Sequence, residues 1–111
     1  MEIRDLNEKI ISFRDERNWA QFHLLKELLL GLNIEVSELS QLFLFKNEEQ
    51  IDKVSLNKIE NEIADIYIYL NYLAYHFKID LEKAVLSKIK LNEEKYPVEK
   101  FYNSNKKYNE L

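Results

Sequence analysis

Two pairs of carboxylates with the same spacing are the residues of this sequence that most clearly indicate chemistry. Glu35 and Glu38 form one pair, and Glu62 and Asp65 form the other. Residues three apart on an α-helix are neighbours, with Cβ atoms roughly 5–6 Å apart, so the two carboxylates of a pair can coordinate the same cation. Hard oxygen ligands of this kind suit Mg²⁺ or Mn²⁺, which also coordinate phosphates. A single such pair is most often a solvated helix face. Two pairs, each beside a core stripe on neighbouring helices, favour a metal site as much as solvated faces, and the spacing alone does not separate the two.

Both pairs lie beside an apolar stripe of the predicted helix that carries them. On a helical wheel, Glu35 falls within its stripe and Glu38 at the edge. Glu62 flanks the other stripe, and Asp65 lies one turn further out. Carboxylates beside an apolar seam carry a desolvation cost unless a positive charge compensates. The two stripes consist of Leu25, Leu28, Leu32, Val36, Leu39 and Phe43, and of Ile59, Ile63, Ile66, Leu70, Leu73 and Phe77.

Four helices are predicted from apolar spacing and cap residues, and no strand is needed. Ser55 and Asp80 are N-cap candidates because their side chains can accept an early backbone N–H, and Tyr96-Pro97 should end the last helix. The short connections predict antiparallel neighbours, so the expected fold is an all-α, antiparallel four-helix bundle. The helices are expected at about residues 2–17, 23–46, 56–77 and 81–95, with a charged loop at 47–53, a helical domain over 1–97 and a polar, at best partly ordered C-terminal tail over 98–111.

The composition is that of a small globular protein. The chain has 111 residues, of which 46% are apolar and 32% charged, an ordinary balance for one domain. One Gly and one Pro favour long helices with few turns. A net charge of −4 argues against binding of a nucleic-acid polymer. No run of about 18 apolar residues predicts a membrane span, and the lack of cysteine and of a signal segment favours a cytoplasmic location.

Several segments of the chain resemble one known family. EVSELSQLF at 35–43 and EIADIYIYL at 62–70 match an E-x-x-E pair followed, after a variable loop, by an E-x-x-D pair. This order is the signature of the MazG-like all-α nucleotide pyrophosphohydrolases. Three further segments are similar to the dCTP pyrophosphatase branch of that family, namely RNWAQFH at 17–23, LLLGL at 28–32 and SKIKLNEEKYP at 87–97.

The resemblance implies an activity and a set of site residues. The implied reaction is Mg²⁺-dependent (alternatively Mn²⁺-dependent) hydrolysis of a dCTP-like nucleoside triphosphate to the monophosphate and pyrophosphate. Glu35, Glu38, Glu62 and Asp65 carry over as metal ligands, with Glu38 and Glu35 as the catalytic pair and Glu38 orienting or deprotonating water. The resemblance places Trp19, His23 and Phe45 near the nucleotide. Tyr69, one turn beyond Asp65 on the same side, offers a further aromatic face for a base. Lys88 and Asn92 form an i, i+4 pair and are candidates for phosphate and base contacts respectively. Where the family has a Trp-Lys pair this chain has Phe45-Lys46, so the base preference can differ.

Some of these residues also have a purely structural interpretation. Trp19 can seal the end of the bundle as a loop aromatic, His23 can face solvent, and Lys88 can be a solvated lysine. Gly31 costs about 1 kcal/mol of helix stability relative to Ala. That cost indicates close approach of either a ligand or another helix, and the sequence does not separate the two.

Other classes of function fit the sequence less well. One Gly cannot build a P-loop or a Rossmann phosphate loop. A di-iron bundle requires Glu-x-x-His motifs, which neither His23 nor His76 completes. The alternatives left open are a dUTP-type or phosphoribosyl-ATP hydrolase of the same superfamily, and a non-catalytic helical interaction protein that retains the fold.

The third predicted helix also carries aromatic and apolar residues outside its main stripe. A helix that is apolar on several sides is usually buried on more than one of them, so self-association into a homodimer or tetramer is expected. The active site can then include residues of a second chain. The residues outside the stripe are Tyr67, Ile68, Tyr69, Tyr72 and Tyr75.

Overall fold

All of the regular secondary structure is helical in the computed structural model, which describes residues 1–110. The all-α prediction is therefore confirmed for this part of the chain. In chain order the helices are α1 (Ile3–Glu16), a 3-10 turn (Trp19–Phe22), α2 (Leu25–Gln41), α3 (Glu48–Asp52), α4 (Leu56–His76), α5 (Leu81–Lys95), α6 (Val98–Phe101) and a second 3-10 turn (Tyr108–Glu110). None of them is both long enough and apolar enough to cross a membrane.

The segment between the two acidic helices differs from the prediction. Helix α2 ends at Gln41, about five residues early, and turns continue to Phe45, which has a positive φ of 59°. The predicted loop at 47–53 is wrong, because α3 forms there. Asn47 and Gln50 build a capping box in which each side chain accepts the other's backbone N–H at 2.9 Å. These two bonds satisfy donors that a helix start otherwise leaves without a partner.

The two predicted caps have different outcomes. Asp80 caps α5 as expected, since its side chain accepts the backbone N–H of Lys83 at 3.1 Å. Ser55 precedes α4 as expected, but its hydroxyl makes no cap hydrogen bond. The predicted start of α4 is therefore correct, but the side-chain cap on which the prediction rested does not form.

The chain forms two compact units, of which the first is Met1–Lys78 and the second begins at Ile79. Within the first unit, α2 and α4 run antiparallel. His23, just before α2, packs against Tyr72 near the end of α4, whereas Glu35 in the second half of α2 lies close to Glu62 in the first half of α4. This opposed order aligns the E-x-x-E turn of one helix with the E-x-x-D turn of the other.

Helix α1 packs on α4 in the same direction. Asn7 accepts a hydrogen bond from the Tyr67 hydroxyl through its side chain and one from the Asn71 amide through its carbonyl. One end of the contact is closed by Arg14, whose guanidinium lies 4.9 Å from the Tyr75 ring centre. The buried core between α1, α2 and α4 is small. It consists of Ile11, Leu28 and Tyr72, with Ile10, Ile68, Tyr69 and Leu73 packed against it.

The predicted stripes are only partly buried. Leu28 is 2% exposed, but other stripe residues remain exposed in the single chain, namely Leu25, Val36, Ile63, Leu70 and Phe77. Tyr72 lies outside the predicted stripe and is 6% exposed, so α4 is buried on more than one side already within the single chain. The physical reason is that α4 contacts both α1 and α2, whereas a single stripe describes one seam.

The second unit folds around the end of α5. Tyr96 packs edge-on against Phe101 of α6, with ring centres 4.8 Å apart, and against Tyr108, at 5.9 Å. Lys95 lies 5.0 Å from the Tyr108 ring centre. Aromatic contacts of this kind give local structure to the segment after Pro97.

Candidate active site

The carboxylates of α2 and α4 converge in the groove between the two helices. Glu35, Glu62 and Asp65 each offer one oxygen atom, and these oxygens all lie within 4.8 Å of one another. Oxygen ligands bind Mg²⁺ at about 2.0–2.1 Å and Ca²⁺ at about 2.3–2.6 Å. Oxygens bound to one ion are therefore a few ångströms apart, so this arrangement is compatible with a shared cation.

Glu38 lies beside this cluster on its solvent side. Its side chain is exposed, yet its carboxyl group is close enough to hydrogen-bond with both Glu35 and Glu62 and to raise the pKa of each. The fourth carboxylate therefore belongs to the same electrostatic site without being one of the three that share a common volume.

The charges of the cluster repel one another. Burial, then the hydrogen bond and charge of Glu38, and then the charges of Asp65 and Glu62 raise the pKa of Glu35 to about 7. The pKa of Glu62 is also raised, first by burial and then by Glu38 and Asp65. A bound cation would reverse these effects, because it favours the ionised carboxylates.

Two oxygens of the cluster are buried without compensation. Glu35 Oε2 and Glu62 Oε2 have no hydrogen-bond partner among residues 1–110. Leaving a buried polar atom without a partner costs free energy, and exceptions in native proteins call for an explanation such as an ion. Both residues belong to the set whose oxygens lie within 4.8 Å of one another, and a divalent cation would compensate such buried carboxylates, so the residues fit such an ion.

Gly31 explains how Tyr69 reaches the cluster. A Cβ atom at position 31 would lie 2.7 Å from Tyr69 Cζ and 3.0 Å from its hydroxyl oxygen. The close approach indicated by this glycine is therefore that of a side chain of α4. Burial and the charges of Glu35, Asp65 and Glu38 raise the pKa of the Tyr69 hydroxyl, so this ring borders the carboxylates.

His23 is not the solvent-facing residue that its structural interpretation suggested. It is half-buried and packs on Tyr72 with ring centres 4.4 Å apart, and its Nδ1 has no hydrogen-bond partner in the described chain. Burial and then the charge of Arg14 lower the pKa of His23, although Asp15 opposes them. The environment of the imidazole thus favours its neutral form. Tyr72 in turn packs edge-on against Tyr69, at 5.7 Å, so an aromatic row leads from His23 to the carboxylates.

The remaining predicted substrate residues are not brought to the cluster by contacts within the first unit. Trp19 packs edge-on against Phe13, with ring centres 5.7 Å apart, which matches its structural interpretation. Phe45 is 97% exposed. Lys88 and Asn92 are exposed residues of α5 in the second unit. Their roles in substrate binding stay predictions.

The sequence analysis did not assign Arg14 or Tyr72 to the site. Arg14 is 8% exposed and is paired with Asp15 at 2.8 Å. It follows the core residue Ile11 by three positions, so the periodicity of α1 already placed it on the inward face. Tyr72 follows Tyr69 by three positions on α4, which is the same kind of signal.

Known proteins are similar to this chain in both sequence and fold. The model of the MazG-like family matches residues 30–111. Human dCTP pyrophosphatase 1 is 36% identical over 114 aligned residues, which cover 98% of this chain and 67% of the human protein. The cattle protein of the same name is 37% identical, over 98% and 68% of the two chains.

The structure of a pyrophosphatase from Archaeoglobus fulgidus is similar over most of both chains. Its TM-score is 0.77 at 34% identity, and the match covers 86% of this chain and 92% of the archaeal one. These matches agree with the resemblance carried by the two acidic motifs. Because the family model spans most of the sequence and includes Glu35, Glu38, Glu62 and Asp65, the chain belongs to the MazG-like family.

Proposed function

We propose that this protein hydrolyses nucleoside triphosphates, with dCTP-like nucleotides preferred, to the monophosphate and pyrophosphate. The observation that carries the proposal is the meeting of the two acidic motifs, with two buried carboxylate oxygens that lack protein partners. The relatives named as pyrophosphatases support the same reaction.

We assign Mg²⁺, or Mn²⁺ in its place, to Glu35, Glu62 and Asp65, with Glu38 as a fourth ligand on the open side. When bound, such an ion neutralises phosphate charge and makes water more acidic. The remaining chemistry falls to the side chains. Glu62 and Asp65 hold one side of the site from α4, and Glu35 faces them from α2.

In this reaction the oxygen of a water molecule bonds to the α-phosphorus. The bond from that phosphorus to the oxygen it shares with the β-phosphorus breaks, and its electron pair leaves with pyrophosphate. Glu38 is the carboxylate best situated to orient the water and take its proton, because it is exposed while remaining within hydrogen-bonding reach of Glu35 and Glu62.

His23 provides a basis for base selection. A neutral imidazole protonated on Nε2 offers Nδ1 as an acceptor, and this atom has no other partner in the described chain. The amino group of cytosine is a donor that uracil lacks at the same ring position. This contact therefore favours a dCTP-like substrate over a dUTP-like one, with Tyr69 and Trp19 as further aromatic surfaces.

We further propose the antiparallel four-helix bundle for this fold and the assembly of copies of the chain as dimers or tetramers. The support is the exposed apolar surface of the single chain, which includes Val36, Ile63 and Leu70. Phe45 adds to it, because a bulky residue with φ of 59° and 97% exposure is uncommon. Lys88 and Asn92 are then candidates for phosphate and base contacts.

The decisive experiment is a panel of nucleotides with Mg²⁺, with pyrophosphate release as the readout. The panel contains dCTP, 5-methyl-dCTP, dUTP, the other deoxynucleotides and the ribonucleotides. We expect release of one pyrophosphate per monophosphate, fastest with the cytosine deoxynucleotides. Absence of release from every nucleotide by a folded protein would contradict the proposal.

The role of Glu38 is tested separately. Glu38→Gln should lower turnover at least about 100-fold, in the range typical of general acid–base residues, while the protein stays folded. The matched control is Glu60→Gln on α4, an exposed residue two positions before Glu62. Equal activity of the two variants would remove Glu38 from the mechanism.

A further inference from the structure

A cavity outside the carboxylate cluster is lined by basic and amide side chains together with the apolar residues Leu42 and Val54. It has a volume of about 500 Å³ and lies between the turn after α2, the short helix α3 and the first turn of α4. None of the described carboxylates lines it. Its polar lining consists of Lys46, Lys53, Lys58, Gln41, Gln50 and Ser55.

Only one of the three lysines of this cavity is paired with a carboxylate, although the three acidic residues of α3 balance the formal charge of segment 46–58. Lys53 pairs with Glu49 at 3.7 Å, but both side chains are at least 75% exposed, and such pairs are worth little. Lys46 and Lys58 take part in no ion pair among residues 1–110. Ammonium groups around one cavity repel each other, and a bound anion would remove that repulsion.

The neutral groups of the lining also favour an anion. The side-chain oxygen of Gln50 is already used in the capping box, so its amide NH₂ is the group left for a ligand. The Ser55 hydroxyl makes no cap hydrogen bond and can donate. The cavity also lies at the N-terminus of α4, a helix of 21 residues whose dipole adds to the attraction for negative charge.

The cavity continues the groove that holds the carboxylates. Lys58 precedes Glu62 by four residues, and Gln41 follows Glu38 by three, so on both helices the cavity begins one turn beyond the cluster. His23 and its aromatic neighbours lie on the opposite side of the cluster. Along the antiparallel pair the groove is therefore aromatic, then acidic, then basic.

We propose that this cavity binds condensed phosphate: the outer two phosphates of the nucleotide substrate and, after cleavage, the pyrophosphate product. The nucleotide part of this assignment rests on the proposed function. The order of the groove matches a nucleotide with its base near His23 and its α-phosphate at the carboxylates. The volume is that of a small-molecule site, and the net charge of −4 disfavours a nucleic-acid polymer.

The test measures binding of inorganic pyrophosphate to the full chain by calorimetry with Mg²⁺ at low ionic strength. The variant K46Q/K53Q/K58Q should bind pyrophosphate at least about tenfold more weakly, because charged hydrogen bonds contribute strongly to anion binding. The matched control K9Q/K26Q/K83Q removes the same charge from exposed positions elsewhere and should change affinity less than about twofold. Thermal unfolding checks that both variants fold.

Two nucleotides separate the outer phosphates from the inner one. The cavity variant should lose affinity for a non-hydrolysable α,β-imido analogue of dCTP as it does for pyrophosphate, and should bind dCMP normally. A cavity variant that matches the control, or that loses dCMP as strongly as pyrophosphate, overturns the proposal. Lys58→Arg keeps the charge and should retain the affinity that Lys58→Gln loses.

The outcome is independent of the proposed function, because pyrophosphate binding needs no turnover. A protein that cleaves no nucleotide but binds pyrophosphate through these lysines refutes only the proposed hydrolysis. An active enzyme whose pyrophosphate affinity is unchanged in the cavity variant refutes only the assignment of the cavity.

Discussion

Glu35 holds its proton more tightly in the folded protein than in the unfolded chain. Burial and then Glu38 raise its pKa from 4.5 to about 7. The stability contributed by this group is therefore complete below about pH 4.5 and is lost as the pH rises through about 7. In a chelating buffer, we expect the free energy of unfolding to fall over this interval.

Glu35→Gln should weaken that pH dependence. Because the variant removes one of the repelling charges, its melting temperature in chelator at pH 8 should exceed that of the native protein by about 2–5 °C, which corresponds to less than about 1 kcal/mol. With Mg²⁺ the order should reverse, since the variant lacks a ligand. Melting curves from pH 4 to 8 decide this, and an identical pH slope in both proteins would contradict it.

Gly31 is a second residue whose effect can be measured alone. Gly31→Ala adds a methyl group against Tyr69, and overpacking costs about 1–3 kcal/mol. The gain in helix propensity of about 1 kcal/mol offsets only part of this. We expect a net loss of about 1 kcal/mol in urea unfolding, with reduced turnover because Tyr69 borders the carboxylates.

The control for this variant is Ser37→Ala, at an exposed position of the same helix, which should be neutral or slightly stabilising. If Gly31→Ala were more stable than the native protein, the ring of Tyr69 would have to move without cost, and the packing role of the glycine would be refuted.

At the scale of helices, the sequence predicted those features that depend on the spacing of residues along a single helix. The i, i+3 carboxylate pairs and the apolar period placed α2 and α4 and indicated which turns would meet. The capping box of α3 was missed because the charged stretch was interpreted as a loop. The spacing of Asn47 and Gln50, three residues apart, is nevertheless that of a capping box. Burial of Tyr72 could not be predicted from one stripe, because it depends on a second neighbour, α1.

Helix α3 supports the basic cavity, and its cap can be removed. Asn47→Ala deletes the acceptor for the Gln50 N–H and should cost about 1 kcal/mol. Because α3 has only five residues, we expect it to fray, with faster amide exchange at Gln50 and Ile51. Asn57→Ala, at an exposed position of α4, is the matched control. Unchanged exchange in Asn47→Ala would show that α3 does not depend on its capping box.

At the scale of the whole molecule, the exposed apolar surface predicts association. Ile63 on α4 is 53% exposed although it belongs to the predicted stripe. Ile63→Glu should shift the protein to a smaller species in sedimentation velocity, because a charge is costly in an apolar interface. Asn61→Glu, exposed on the same helix, should leave the assembly unchanged. A native protein that sediments as a monomer would contradict the proposed oligomer.

Phe45 allows a test of whether one chain completes the site of another. Its ring is 97% exposed, and we expect it to stack on the base in the site of a second copy. Phe45→Ala and Glu38→Gln should each be nearly inactive alone. In a mixed dimer, one site would carry both defects, and the other would combine an intact Glu38 with an intact Phe45.

Random mixing of two variants gives half mixed dimers, so about a quarter of all sites would be complete. We therefore expect about a quarter of native activity to return when the two variants are unfolded together and refolded as a mixture. The control mixes Glu38→Gln with Glu35→Gln, whose defects lie in the same cluster of one chain and cannot complement. If the first mixture recovers no activity, Phe45 does not contribute to the active site of a neighbouring chain. The exposure of its ring then does not reflect contact with a nucleotide bound to a second copy.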